Sequence, residues 1–193
     1  MMPAAALHTS ALDTAQKVRE DRAIYRAIKM LEDRLKKPGE HMGSTNGVRE
    51  FLTLRLAREE REVFTALWLD AQNRLLAAEN LFFGSIRKTY VHPREVVRRG
   101  LGLNAASVIF AHNHPSGNAE PSRHDLALTA RLMQLLDLVD IRTLDHFIVA
   151  GCKAASLAEL GLLGLSDFPP PKTEESSKPA KRTRKKTTKQ VKK

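Results

Sequence analysis

Residues 110–125 read FAHNHPSGNAEPSRHD. They set two imidazoles two residues apart, then a hydroxyl and a carboxylate just past a turn. Histidine is poor turn material, and Pro115, Gly117 and Asn118 already supply what a turn needs. In an extended chain residues i and i+2 project to one side, so His112 and His114 face the same way at the end of Ala106–Ala111 (ASVIFA). That run is short, continuous and apolar, as a central buried strand is. Ligand sites of open α/β sheets lie at the carboxyl ends of such strands. The next helix opens at Ser122, and Asp125 in its first turn can swing back to the same point. Two imidazoles and one carboxylate form a three-ligand set for catalytic zinc, with a fourth position left for water. One zinc ion per chain is the expectation.

The competing reading is structural. Ser122-Arg-His-Asp125 also matches a capping box, in which each side chain satisfies a backbone N–H at the helix start, and a histidine pair can simply sit in a solvated loop. Capping accounts for Ser122 and Asp125 but gives no reason for His112 and His114. Other zinc chemistries fail on spelling. A zinc deaminase needs H-x-E and P-C-x-x-C, and Cys152 is the only cysteine. The zincin H-E-x-x-H is absent, and an H-x-H barrel hydrolase needs about 250 residues. The letters HNH at 112–114 are a coincidence, since the nuclease named for them spreads those residues along its chain.

Several elements must position this cluster. Asp21–Lys37 places Ile24, Ile28, Leu31 and Leu35 at helical spacing, with Pro38-Gly39 as its stop and a frayed segment before it. Thr45 and Asn46 open a second helix with Val48, Phe51, Leu52 and Leu56 on one stripe. Val63–Leu69 and Arg74–Phe83 read as strands joined by a hairpin turn at 70–73, and Thr89–Val91 extends the sheet. Pro93 starts a helix to about Gly100. Ser122–Leu136 is an apolar helix, and Asp140–Ala150 holds a strand ended by Gly151. Alternating strands and helices predict a layered α/β domain.

The chain has 193 residues, 42% of them hydrophobic, which suits one domain with a mainly aliphatic core. A single cysteine excludes a disulfide framework and fits a reducing cytoplasm. The amino terminus lacks the pattern of a signal peptide, and no apolar run approaches the ~20 residues of a membrane span, so no membrane partner is expected. The net charge of +10 is concentrated in one place. Pro169–Lys193 carry ten basic and two acidic residues, a net of +8; residues 1–168 hold 22 and 20, a net of +2. The tail is almost devoid of apolar residues and is expected to be disordered.

His112, His114, Ser122 and Asp125 together spell H-x-H, seven residues, then S-x-x-D. On this motif the chain resembles the JAB/MPN metalloprotease domain, and within it the bacterial RadC-like branch, whose hallmark is HNHPSG…PS..D. LD at 69–70, REV at 94–96, NA at 104–105 and DHFIV at 145–149 agree in order and spacing. The resemblance covers about residues 40–165. It implies an α-β-α layered MPN fold with a mixed central sheet over residues 41–166, preceded by a 1–40 segment with one helix and followed by the 167–193 tail. It implies a peptide or isopeptide substrate, with His112, His114 and Asp125 holding zinc and Ser122 stabilising the oxyanion. It also implies an upstream glutamate as general acid/base. Glu59, Glu60 and Glu62 stand together in REEREVF; strand parity leaves Glu60 and Glu62 on the same side, and the resemblance selects Glu62. Full-length RadC proteins join a helix-hairpin-helix domain to this one, for which the first 40 residues are too few, and Ala119 stands where the family often has Pro.

Three further histidines have weaker cases. His124 lies about 100° around the helix from Asp125 and is expected to be exposed. His146, after Asp145, is either a second layer behind the site or a core histidine. His92 precedes Pro93 in a loop. RadC-like proteins also carry an old DNA-repair label. The alternative function is therefore a DNA-associated repair or recombination protein with a structural or vestigial metal site, Lys181, Arg182, Arg184, Lys185 and Lys186 binding phosphates by counterion release.

Overall fold

The structure is a computed structural model that describes residues 4–36, 44–84 and 90–164. Along the chain run α1 (Ala4–Leu35), α2 (Thr45–Leu56), β1 (Val63–Leu69), β2 (Leu75–Phe83) and α3 (Pro93–Gly102). They are followed by β3 (Ser107–Asn113), α4 (Arg123–Asp137), β4 (Arg142–Ala150) and β5 (Lys153–Ser156). The strands form one sheet in the order β2-β1-β3-β4-β5. Among the described strands, β3 and β4 pair in parallel and the other pairs are antiparallel. The mixed sheet between helical layers is the fold class expected from the sequence.

Alternation along the strands divides the core in two. Val63, Leu67 and Leu69 of β1 join Ile109, Ala111, Phe147 and Val149 under α2, with Ile28 and Leu31 of α1 packed against them. Phe64, Ala66 and Trp68 join Val108 and Phe110 on the opposite face, covered by Val96 of α3 and Leu132 and Leu136 of α4. Both strand ends of β1 and β3 are buried on both faces, which removes solvent competition and fixes their register. The β1–β2 turn is closed by Asp70, whose Oδ1 accepts from the N–H groups of Gln72 and Arg74, both at 2.9 Å.

The structure departs from the sequence reading at four points. Helix α1 begins at Ala4 rather than near Asp21; alanines at 4, 5, 6, 11 and 15 carry the strongest helix propensity, which outweighs the absence of an apolar stripe. Strand β3 runs two residues past Ala111 to Asn113. Tyr90 and Val91 are in no strand, and Val91 packs into the core instead. Gly151, at φ +57°, is a turn into the additional strand β5 and not the end of the sheet. Pro38, Gly39, Thr89 and the Lys/Arg-rich tail lie outside the described residues. No helix among those described is long and apolar enough to cross a membrane.

Candidate metal centre

Strand β3 delivers the two histidines. Its pairing runs Phe64↔His112 on the β1 side and His112↔Ile148 on the β4 side. The ladder continues one step past the strand, where the His114 N–H donates to the Val149 carbonyl at 2.8 Å. The backbone therefore stays extended through both residues, and their side chains share a face. The turn that follows is fixed at Gly117, whose N–H reaches the His114 carbonyl at 3.1 Å with φ +81°, a conformation favouring glycine. His112 is 2% exposed and His114 half-buried.

Helix α4 delivers the carboxylate. Ser122 is its N-cap: the Ser122 Oγ accepts from the Asp125 N–H at 3.2 Å, and Asp125 Oδ2 accepts from the Ser122 N–H at 2.8 Å. The capping box is real. The same carboxylate also faces the imidazoles, with Oδ1 at 3.2 Å from His112 Nε2 and Oδ2 at 3.5 Å from His114 Nε2. The two Nε2 atoms are 2.9 Å apart. Capping and the approach to the imidazoles are not alternatives; one side chain makes both sets of contacts.

Hydrogen positions follow from the partners. His114 Nδ1 lies 2.8 Å from the Asn118 carbonyl, which can only accept, so Nδ1 carries a proton and the neutral ring leaves a bare Nε2. Burial would raise the Asp125 carboxyl, yet its close contacts with the His112 and His114 rings outweigh it and hold that group well below the usual carboxylate range. His114 is raised, chiefly by its hydrogen bond to Asp125 and against the effect of burial. Both shifts have the same sense, favouring a proton on His114 beside an ionised Asp125. These three residues present ligand atoms within 4.8 Å of one another. Nitrogen and oxygen lone pairs crowded this closely need a cation among them, and a borderline divalent metal suits the set. A separate cleft of about 420 Å³ lies on the α2 side of the sheet, lined by Leu56, Glu59, Glu60, Asn113, Pro115 and Val149, and of the three clustered residues only His114 borders it.

The three upstream glutamates separate in space. Continuing the β1–β3 register by two residues from Phe64↔His112 sets Glu62 opposite His114. The Glu62 carboxylate is among the charges that raise His114, whereas Glu59 and Glu60 line the separate cleft. Parity in the sequence could not make this distinction because it depends on the partner strand. Ser122 is exposed; its hydroxyl oxygen takes the Asp125 N–H, and the hydroxyl also lies against the Asp125 carboxylate that it helps to hold low. His124 is exposed, as expected. His92 precedes α3 as a loop residue and packs against Phe82.

Sequence reasoning missed two contributors and left one open. Asn113, dismissed with the letters HNH, is 3% exposed. It accepts from the Val63 N–H at 2.8 Å and donates to the carbonyls of Glu59 and Arg61 at 3.1 and 2.9 Å. It thereby clamps the segment that carries all three glutamates. A polar residue between two histidines at the end of an apolar strand was the available signal. Thr129, one helical turn after Asp125, sits 2.6 Å from the Asp125 carbonyl and 2.6 Å from His146 Nδ1. His146 is fully buried, its Nε2 lies 2.9 Å from His112 Nδ1, and burial pushes it well below the ordinary histidine value. Its neighbour Asp145 is structural, accepting from the N–H groups of His146 and Ala158 and from the Ser156 hydroxyl.

Comparison with known proteins gives a consistent family. The family model described as "RadC-like JAB domain" matches residues 42–162. The UPF0758 protein YkfG of Escherichia coli (strain K12) is 56% identical over 142 residues, covering 74% of this chain and 90% of that protein. UPF0758 protein YeeS of the same organism is 53% identical over 140 residues, 72% and 95% of the two chains. A UPF0758 protein of Dechloromonas aromatica (strain RCB) is 59% identical over 121 residues, and there the match spans only 54% of the relative.

The clamp can be tested directly. Asn113→Ala removes three hydrogen bonds to backbone, one of them to the buried Val63 N–H, so unfolding should become easier by about 2 kcal/mol. Urea denaturation would show the midpoint falling. An unchanged midpoint would mean that the glutamate segment is held by other contacts.

Proposed function

The chain belongs to the RadC-like JAB domain family, and from that membership and the donor geometry we propose that it is a zinc-dependent hydrolase, a metallopeptidase or isopeptidase. One observation carries this reading: two imidazole Nε2 atoms and a buried carboxylate converge on one point. His112, His114 and Asp125 would hold one zinc ion, which as a Lewis acid would polarise a carbonyl and lower the pKa of a water towards ~7. Two nitrogens and one oxygen from the protein, with a position left open, are the ligand set of catalytic rather than structural zinc.

The remaining roles belong to the chain's own side chains. Glu62, opposite His114, would take a proton from the attacking water and pass it to the leaving amine. The Ser122 hydroxyl would donate to the oxygen of the scissile carbonyl as negative charge develops there. The substrate class this would serve is a peptide or isopeptide. Cys152 is exposed and unpaired, in keeping with a reducing cytoplasm of a bacterium.

A second reading, a DNA-associated repair or recombination accessory, rests on the charge asymmetry of the chain. Ten basic residues, Lys181, Arg182, Arg184, Lys185 and Lys186 among them, fall in the last 25 positions, a composition suited to sequence-independent phosphate binding. The two readings are compatible, since tail and metal centre are separate in the sequence.

Three outcomes are expected. The first is one zinc per chain by metal analysis, with none retained when His112 and His114 are both replaced by Ala. Since zinc must displace the proton held at His114, affinity should fall about tenfold per pH unit below the raised His114 pKa, and Asp125, ionised throughout, should add nothing to that slope. A pH-independent affinity would exclude His114 as a ligand.

The second outcome separates roles. Glu62→Gln should keep the zinc and lose hydrolysis, while Ser122→Asn, which caps as well as serine, should keep stability and zinc yet lose about 100-fold in turnover. Loss of zinc in Glu62→Gln would make Glu62 a ligand, and full turnover in Ser122→Asn would reduce Ser122 to a cap.

The third concerns the tail. Truncation after Phe168 should leave the thermal midpoint in place and remove most binding to duplex DNA, whose affinity in the full chain should fall steeply with salt. Equal DNA binding by both forms would transfer that function to the folded part.

A further inference from the structure

We infer that Thr129 and His146 are positioning residues that hold His112 in the tautomer with its proton on Nδ1, leaving its Nε2 lone pair turned to the metal position. The inference rests on the proposed metal centre for its purpose, though not for its proton accounting.

The accounting begins at a group with no freedom. The Asp125 backbone carbonyl can only accept, and Thr129 Oγ1 lies 2.6 Å from it, so the single hydroxyl proton of Thr129 points there. A threonine bonding back to the carbonyl four residues earlier is a familiar helical arrangement. Thr129 Oγ1 then has only lone pairs to offer His146 Nδ1, also at 2.6 Å. The proton of that contact must therefore reside on His146 Nδ1. The His146 ring is fully buried, edge-on to Phe64 and Phe110 with centroids 5.6 and 6.1 Å away. Such surroundings favour the neutral imidazole, which with Nδ1–H has a bare Nε2. His112 Nδ1 lies 2.9 Å from that Nε2 and must donate. A neutral His112 is thus left with its lone pair on Nε2, 3.2 Å from Asp125 Oδ1 and 2.9 Å from His114 Nε2.

The relay starts and ends on the same residue. Asp125 supplies the carbonyl that fixes the first proton and the carboxylate that faces the lone pair the relay exposes. His114 reaches the same tautomer by a shorter route, through the Asn118 carbonyl. Hydrogen bonds to the far nitrogen of a ligand histidine set its tautomer and orientation. If His146 and Thr129 merely filled the core, apolar groups of the same shape would serve as well and would avoid burying a hydroxyl and an imidazole.

The test starts with the unmodified, metal-free protein at mildly alkaline pH. Nitrogen-15 NMR of the imidazoles should show His146 protonated at Nδ1 and bare at Nε2. A proton on His146 Nε2 would overturn the relay whatever the protein does with zinc. The expected His146 tautomer in a protein that fails to bind zinc would instead keep the relay and defeat the metallopeptidase reading. Thr129→Val, close to isosteric, should bind zinc about 10- to 100-fold more weakly with the metal-free thermal midpoint little changed, and Thr129→Ser should restore the affinity. Wild-type zinc affinity in Thr129→Val would also overturn the proposal.

Discussion

The Asp125 carboxylate carries two obligations, and much of the structure is arranged around them. It closes the first turn of α4 by accepting from the Ser122 N–H, and it faces two imidazoles whose Nε2 atoms lie 2.9 Å apart. A cap of this kind contributes about 1 kcal/mol. Burying a carboxylate costs several times more when it is not fully paired. Stability alone would place that cap in solvent, away from two buried rings. The cost is offset only if a positive charge enters the cluster, and the raised His114 and lowered Asp125 both favour one there.

The sheet makes this crowding unavoidable. β3 is central, bonded to antiparallel β1 and parallel β4 and buried on both faces. Its end cannot retreat towards water without breaking two ladders. β1 brings Glu62 opposite His114, β4 brings His146 behind His112, and α4 brings Asp125 and Thr129 on one face a single turn apart. Asn113 faces away from the cluster and uses its whole amide to anchor the glutamate segment. Each group around the centre is therefore held by an element whose position the hydrophobic core decides.

The convergence of His112, His114 and Asp125 was legible in the sequence because its geometry is local. The two-residue period of a strand put His112 and His114 on one side, and the capping box put Asp125 at a helix start. What escaped the sequence was non-local or lacked an apolar pattern. Seeing that Glu62 rather than Glu60 stands opposite His114 required the β1–β3 register. The partnership of His146 with His112 required knowing that β4 runs parallel beside β3. Strand β5, Lys-Ala-Ala-Ser, has neither β-branched residues nor alternation, and the first half of α1 has propensity without an apolar stripe. Asn113 was overlooked because polar residues at a strand end usually mark an exit to solvent, whereas this strand stays buried to its last residue.

The most direct measurement is a crystal structure of the zinc-loaded protein with anomalous data collected at the zinc absorption edge. The expected result is one peak per chain about 2.0–2.1 Å from both His112 Nε2 and His114 Nε2 and about 2.0–2.2 Å from an Asp125 oxygen, with solvent in the fourth position. A peak bound through either Nδ1, or zinc located only away from these three side chains, would contradict it.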